Sequence, residues 1–159
     1  MSSIQSEHFT KALFMLLDET FDNVQGIYLD KNTSLFETLA GITADEASIP
    51  VGGKCATLAA QVKHTAFYLD VIEKNFRDPN YPKADWGEIW RTVNRVTPEE
   101  WQSIQGELRS NYNLVLDLIK STQDWPSESE IGSAIAIVVH TAYHLGEIRQ
   151  ALCVLRPVD

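Results

Sequence analysis

Hydrophobic residues recur at helical spacing in four long stretches of the chain, and each stretch predicts an α-helix. The apolar stripe of the first stretch consists of Phe9, Leu13, Leu16, Leu17, Phe21 and Val24. Most of its charged residues lie off that stripe, namely Lys11, Asp18, Glu19 and Asp22. The second stretch spans roughly residues 55–76 and has an apolar stripe of Leu58, Val62, Ala66 and Leu69. Lys63, Asp70 and Lys74 mark the solvated side of this second helix.

The third and fourth helices begin at recognisable caps. Thr97-Pro98-Glu99-Glu100 combines a capping threonine, a proline at the first helical position and a glutamate that completes a capping box. After a break at Trp125-Pro126, the segment 127–130 (Ser-Glu-Ser-Glu) forms another capping box. The last helix is expected to run to about Leu155, with Pro157 compatible with its end.

The last helix contains one ambiguous segment, because residues 135–139 (Ile-Ala-Ile-Val-Val) are rich in β-branched side chains and could form a buried strand. No partner strand is evident elsewhere, and the apolar pattern continues past His144. We therefore predict a helix that is buried on nearly every side.

Shorter elements connect the long helices. Capping boxes at residues 34–37 and 43–46 predict two short helical turns, and Pro50-Val51-Gly52-Gly53 breaks the chain before the second long helix. Residues 78–96 contain Trp86 and Trp90 and are expected to form a partly ordered, aromatic-rich loop. With no repeats or linkers, residues 1–159 are predicted to be a single all-α domain, a four-helix bundle.

Composition narrows the classes of function. The 159 residues are 44% hydrophobic and 22% charged, which is ordinary for a soluble globular protein. A net charge of −9 without a basic cluster disfavours nucleic-acid binding. The longest apolar run, Ala134 to Val139, is too short to span a bilayer, and Glu7 precedes any apolar run, so we expect neither a membrane span nor a signal peptide. A reducing cytoplasm is the simplest location.

Histidines carry the most informative chemistry. His140 and His144 are four residues apart, so a helix stacks both imidazoles on one face, where they can bind one divalent transition metal. His64 lies in the middle of the second helix, away from Lys63 and Lys74, and would complete a triad if the two helices face each other. Three histidines suit zinc, nickel, iron(II) or copper. The alternative is a hydrogen-bonded helix face without metal.

Neighbouring residues have several possible roles. Glu147 could be a fourth ligand, an acceptor for a histidine N–H, a general base, or the partner of Arg149 or of another subunit in a salt bridge. Tyr68 and Tyr143 could offer hydroxyls near a metal, although core packing is the simpler interpretation. Trp86 and Trp90 could wall a pocket. Cys55 and Cys153 are expected to be buried apolar fillers.

Three segments of the chain together resemble the DinB-like superfamily, of the DinB/YfiT type. They are residues 61–69 (QVKHTAFYL), residues 140–152 (HTAYHLGEIRQAL) and residues 34–47 between the first two long helices. The resemblance spans nearly the whole chain. It implies an up-down-down-up four-helix bundle, often dimeric, with His64, His140 and His144 as ligands of a divalent metal. Glu147 stands where relatives commonly have glutamine.

The resemblance also suggests an activity, because characterised relatives include metal-dependent transferases that use low-molecular-weight thiols. The leading hypothesis is therefore a thiol S-transferase acting on a small-molecule substrate, with Glu147 as a candidate proton acceptor and a homodimer as the expected assembly. Metal-dependent hydrolysis is the second enzymatic interpretation. A non-catalytic bundle that binds a metal, a small molecule or a protein is the alternative from another class.

Overall fold

A computed structural model describes residues 4–53, 55–78 and 80–156. These residues form an all-α fold without strands, with the helices α1 Ser6–Phe21, α2 Leu35–Leu39, α3 Ala44–Ala47, α4 Leu58–Arg77, α5 Glu88–Thr92, α6 Pro98–Ser121 and α7 Glu128–Leu155. A single turn of 3₁₀-helix, Val51–Gly53, precedes α4. The segment before Ile4, on which the signal-peptide prediction partly depends, and Pro157 lie outside the described residues.

Side-chain caps determine where three of the long helices begin, and two of them, Thr97 and Ser127, were predicted. Thr97 forms the full predicted capping box, whereas Ser127 caps its helix without the reciprocal bond from the Glu130 side chain. The hydroxyls of Thr57, Thr97 and Ser127 accept hydrogen bonds from the backbone N–H groups three residues further on, at the starts of α4, α6 and α7. Both short turns also form at their predicted capping boxes. The second long helix begins at Leu58, three residues after the approximate start predicted at residue 55, because Thr57 caps it.

The four long helices share one core. The predicted stripe of α4 is fully buried, since Leu58, Val62, Ala66 and Leu69 have no exposed area. This helix packs against both α6 and α7, and α1 packs against α7. Phe21 at the end of α1 stacks on Tyr112 of α6, with ring centroids 4.1 Å apart. The contact between α4 and α7 is the one that matters for function, because it brings the two histidine-bearing helices together.

The polar side of α1 differs from the prediction. The helix ends at Phe21, so Val24 lies beyond it, and Glu19 is fully buried although the pattern placed it off the apolar stripe. The chain after α1 folds back over this carboxylate. Its two oxygens accept four backbone N–H groups at 2.7–3.0 Å, from Gln25, Ile27, Tyr28 and Leu29.

Helix α7 is a single unbroken helix, so the strand alternative for residues 135–139 is excluded. The prediction that it is buried on nearly every side is wrong, because Ile135, Val139 and Tyr143 are 46%, 61% and 61% exposed. These residues are four apart and form one face that neither α1 nor α4 covers. By length and composition α7 is apolar enough to cross a membrane. Buried core helices share this property, and 39% of the 18-residue apolar stretch of α7 is buried inside the fold.

Candidate metal centre

The contact between α4 and α7 brings together the three histidines that the sequence singled out. His64 of α4 faces His140 and His144 of α7, and one ring nitrogen from each lies within 4.8 Å of the other two. The imidazole centroids are 4.5–5.1 Å apart. His64 and His144 are buried and His140 is partly buried. These three side chains could therefore hold a metal ion.

The closest pair of nitrogens tests whether a metal fits. The Nε2 atoms of His64 and His140 are 3.2 Å apart. Two imidazole nitrogens bound to one tetrahedral zinc at about 2.0–2.1 Å from the ion lie about 3.3 Å apart. The observed spacing therefore suits two ligands of one ion. It also suits a hydrogen bond in which one Nε2–H donates to the other nitrogen, so the distance fits both interpretations of the cluster.

The hydrogen bonds of His144 leave its Nε2 available. Its Nδ1 lies 2.6 Å from Oε1 of Gln61 and 2.9 Å from Oε2 of Glu147. Both neighbours are acceptors, so the ring proton resides on Nδ1 and the lone pair on Nε2. Such a hydrogen bond to an outer carboxylate or carbonyl is typical of metal-ligating histidines, because it fixes the tautomer and the orientation of the ring.

The other two histidines are oriented by aromatic packing. The Nδ1 atoms of His64 and His140 are buried and have no hydrogen-bond partner in the described part of the chain. Trp90 packs against the His64 ring, with centroids 4.5 Å apart, and Trp86 meets the same ring edge-on at 6.3 Å. Tyr68 stacks on His140 at 3.7 Å with an interplanar angle of 12°. These contacts fix the planes of the two rings but give neither Nδ1 atom a hydrogen-bond partner.

Burial keeps the three imidazoles neutral, which is the protonation state that binds metal. Burial, followed by repulsion from His144, lowers the pKa of His64 to about 4. Burial, followed by repulsion from His144 and His64, lowers the pKa of His140 to about 4 as well. Burial also lowers the pKa of His144, although Glu147 opposes this shift. A proton therefore competes weakly for these nitrogens at neutral pH.

Of the roles predicted for Glu147, the structure shows that of hydrogen-bond acceptor for a histidine N–H. Its carboxylate accepts from Nδ1–H of His144 and, through Oε1, from the Tyr143 hydroxyl at 2.7 Å. Tyr143 is therefore an exposed partner of Glu147 and not a core residue. Because the two nitrogens of an imidazole point away from each other, Glu147 is positioned to act through His144.

Two features near the site were not predicted. Gln61, one turn before His64, shares the His144 proton with Glu147, and its spacing of three residues from His64 could have revealed it. The short helix α5 lies within the predicted loop and places Trp90 over His64.

The prediction that both cysteines are buried fillers is wrong, because Cys55 and Cys153 are exposed. Cys55 precedes α4 and Cys153 lies on an exposed side of the last turn of α7.

Comparison with known proteins found no family model, no curated protein and no solved structure that matches the chain. The resemblance to the DinB-like superfamily therefore stays a prediction. The functional argument depends on the geometry of the site.

Proposed function

We propose that this protein is a divalent-metal-dependent enzyme whose metal is held by His64, His140 and His144. The observation that carries the proposal is the convergence of three neutral ring nitrogens, within 4.8 Å of one another, from two helices. Three protein ligands are the number typical of catalytic zinc sites, which keep a position for water or substrate. Zinc, nickel and iron(II) are the candidate ions.

The metal, when bound, supplies Lewis acidity that lowers the pKa of a thiol or water and makes it nucleophilic at neutral pH. The chain's own groups prepare the site. Gln61 and Glu147 hold the His144 proton at Nδ1 and so direct its Nε2 into the cluster. Trp90 and Tyr68 cover the His64 and His140 rings and limit the access of water. We assign Glu147 as a positioning residue.

Thiol S-transfer is the leading form of the proposed activity, and its support is the resemblance of residues 61–69 and 140–152 to the DinB-like superfamily. In this reaction the thiol would lose its proton to solvent and its sulfur would form a bond to an electrophilic carbon of a small molecule. The bond between that carbon and the leaving group would break, and the leaving group would depart with the electron pair. The same resemblance supports an up-down-down-up arrangement of the four long helices. Hydrolysis differs in using water as the nucleophile.

We also propose a homodimer. Its support in the fold is the face of α7 formed by Ile135, Val139 and Tyr143, which is apolar, uncharged and exposed. Sedimentation velocity would detect the dimer. Replacing Val139 by lysine is expected to shift the protein toward the monomer, since a buried charge at the centre of the face opposes association. A monomeric wild-type protein would refute this part of the proposal.

The test of the metal site compares His140→Ala with His8→Ala, a matched control because His8 is exposed on α1. We expect about one transition-metal ion per chain in the wild type and in His8→Ala, and none in His140→Ala. Absence of metal from the wild type after titration with zinc, nickel and iron(II) would refute the proposal.

The loaded protein is then assayed with two kinds of substrate. Product formation from an electrophile that requires a low-molecular-weight thiol would support transfer, whereas turnover of an activated ester without thiol would support hydrolysis. Loss of the folded state on metal removal, together with inactivity in both assays, would instead identify a structural metal.

A further inference from the structure

A cavity of about 480 Å³ adjoins the histidine cluster on the side of Gln61 and Glu147. It lies between the C-terminal half of α7 and the residues that lead into α4. Its walls are mainly apolar, formed by Val51, Ala56, Leu58, Ala151 and Val154. Gly146 also lines it and contributes no side chain. A cavity of this size suits a small organic ligand.

Polar groups that would orient such a ligand also line the cavity, namely Gln61, Tyr143, Glu147 and Gln150. Three of them lie close together, because Glu147 bonds to Tyr143 and shares the His144 proton with Gln61. Glu147 is the one formally charged residue among the described lining residues. Its side chain is 36% exposed. The chain as a whole carries a net charge of −9. Both the local and the overall charge therefore favour a cationic group and oppose a carboxylate.

We propose that this cavity binds a small organic cation with an apolar body, of the alkylamine class. The ammonium group would donate hydrogen bonds to the Glu147 carboxylate, whose oxygens retain acceptor capacity beside Tyr143 and His144. The alkyl chain would lie against Ala151 and Val154. This binding does not depend on the proposed metal-dependent activity.

Three probes of equal length test the class of ligand: hexylamine, hexan-1-ol and hexanoate. Each is titrated into ¹⁵N-labelled, metal-free protein and followed by amide chemical shifts. We expect hexylamine to bind most tightly and hexanoate most weakly, with the largest shifts at Gly146, Ala56 and Ala151. Each methylene added from butylamine to hexylamine should tighten binding about fourfold, because it buries more apolar area.

Two glycines of α7 provide a matched pair of variants. A Cβ atom added at Gly146 or at Gly132 meets nothing within 4 Å, so both positions have open space beside the backbone, but only Gly146 lines the cavity. Gly146→Leu should weaken hexylamine binding at least about tenfold, since two filled methylene positions are worth that much. Gly132→Leu should leave it unchanged. The wild-type shift map locates the ligand even if one variant folds poorly.

Two further variants separate this proposal from the metal hypothesis. Glu147→Gln should weaken the binding of hexylamine about fivefold and leave the binding of hexan-1-ol unchanged, as expected for a partly exposed ion pair. An amine could also bind a metal directly, and His140→Ala removes the candidate metal site. This variant should leave amine binding intact, because His140 does not line the cavity. Equal binding of amine and alcohol, preference for hexanoate, or shifts away from Gly146 would overturn the proposal whether or not a metal binds.

Discussion

The hydrogen bonds of His144 allow a quantitative prediction about metal affinity. Gln61 and Glu147 both accept from Nδ1–H, at 2.6 and 2.9 Å. The perturbation is Gln61→Met and Glu147→Met, alone and together, because methionine keeps the length and helix propensity of each side chain but is a weak acceptor. Removing an outer partner of a metal-ligating histidine typically weakens metal binding 10- to 100-fold.

The structure indicates how this loss of metal affinity is divided between Gln61 and Glu147. In either single variant the remaining acceptor still holds the proton at Nδ1, so each should weaken zinc binding about fivefold, or about 0.9 kcal/mol. The double variant leaves Nδ1–H without a partner and should weaken binding about 100-fold, or about 2.7 kcal/mol. The two residues are therefore expected to couple by about 0.9 kcal/mol.

Competition with a chromogenic chelator at pH 7.5 measures these affinities. Glu128→Met is the control for charge, because Glu128 lies in the first turn of the same helix, four turns from His144. Wild-type affinity in the double variant would refute the argument that Nδ1 orients the ligand. Complete loss of zinc in Glu147→Met alone would refute it differently, by showing that Glu147 is itself a ligand.

Three other predictions concern the residues around the cluster. Nickel or copper binding should quench tryptophan fluorescence; a Trp86→Phe/Trp90→Phe double variant should remove most of the quenching and Trp125→Phe little of it, since Trp86 and Trp90 contact the His64 ring and Trp125 packs against Phe9. Burial raises the pKa of Glu19, but its four backbone hydrogen bonds outweigh this and lower the pKa to about 2. The carboxylate of Glu19 therefore stabilises the fold fully at a pH above its ordinary pKa of 4.5, and this stabilisation is lost as the pH falls toward 2. Over this pH range the melting temperature should drop less steeply in Glu19→Gln than in the wild type. A metal-free His64→Leu/His140→Leu double variant should unfold at higher urea than the wild type, by about 1 kcal/mol in free energy, because it removes two buried Nδ1 atoms that lack partners and, by replacing both members of the Nε2–Nε2 pair, leaves neither of them unpaired; a lower midpoint would contradict this interpretation.

The sequence predicts those parts of the fold that local pattern determines. Thr97, Pro98 and Glu100 mark a helix start through contacts within one turn, and the structure begins α6 there. The four-residue spacing of His140 and His144 likewise fixes a shared face. His64 could be assigned to the same cluster only by supposing that α4 faces α7, and the packing of these two helices confirms it.

The errors arise where burial depends on segments distant in sequence or on irregular chain. Glu19 has a polar position in the helical pattern, but residues 25–29 fold over it and supply its hydrogen bonds. Trp90 lies in a stretch without clear periodicity, so its contact with His64 could not be derived from spacing. Exposure of Val139 follows from the absence of a further helix over that face of α7 in the described chain, and composition alone suggested burial.

The energetics of the cluster favour a functional explanation. Burying three imidazoles costs stability, and two of them leave a buried nitrogen without a partner in the described residues. Leucine at both positions 64 and 140 would satisfy the same helical pattern without this cost. Packing therefore explains why the histidines are held rigidly but not why they are histidines. Binding a ligand at Nε2 does explain it, because that requires a neutral, oriented imidazole, and burial and the partners of His144 provide both.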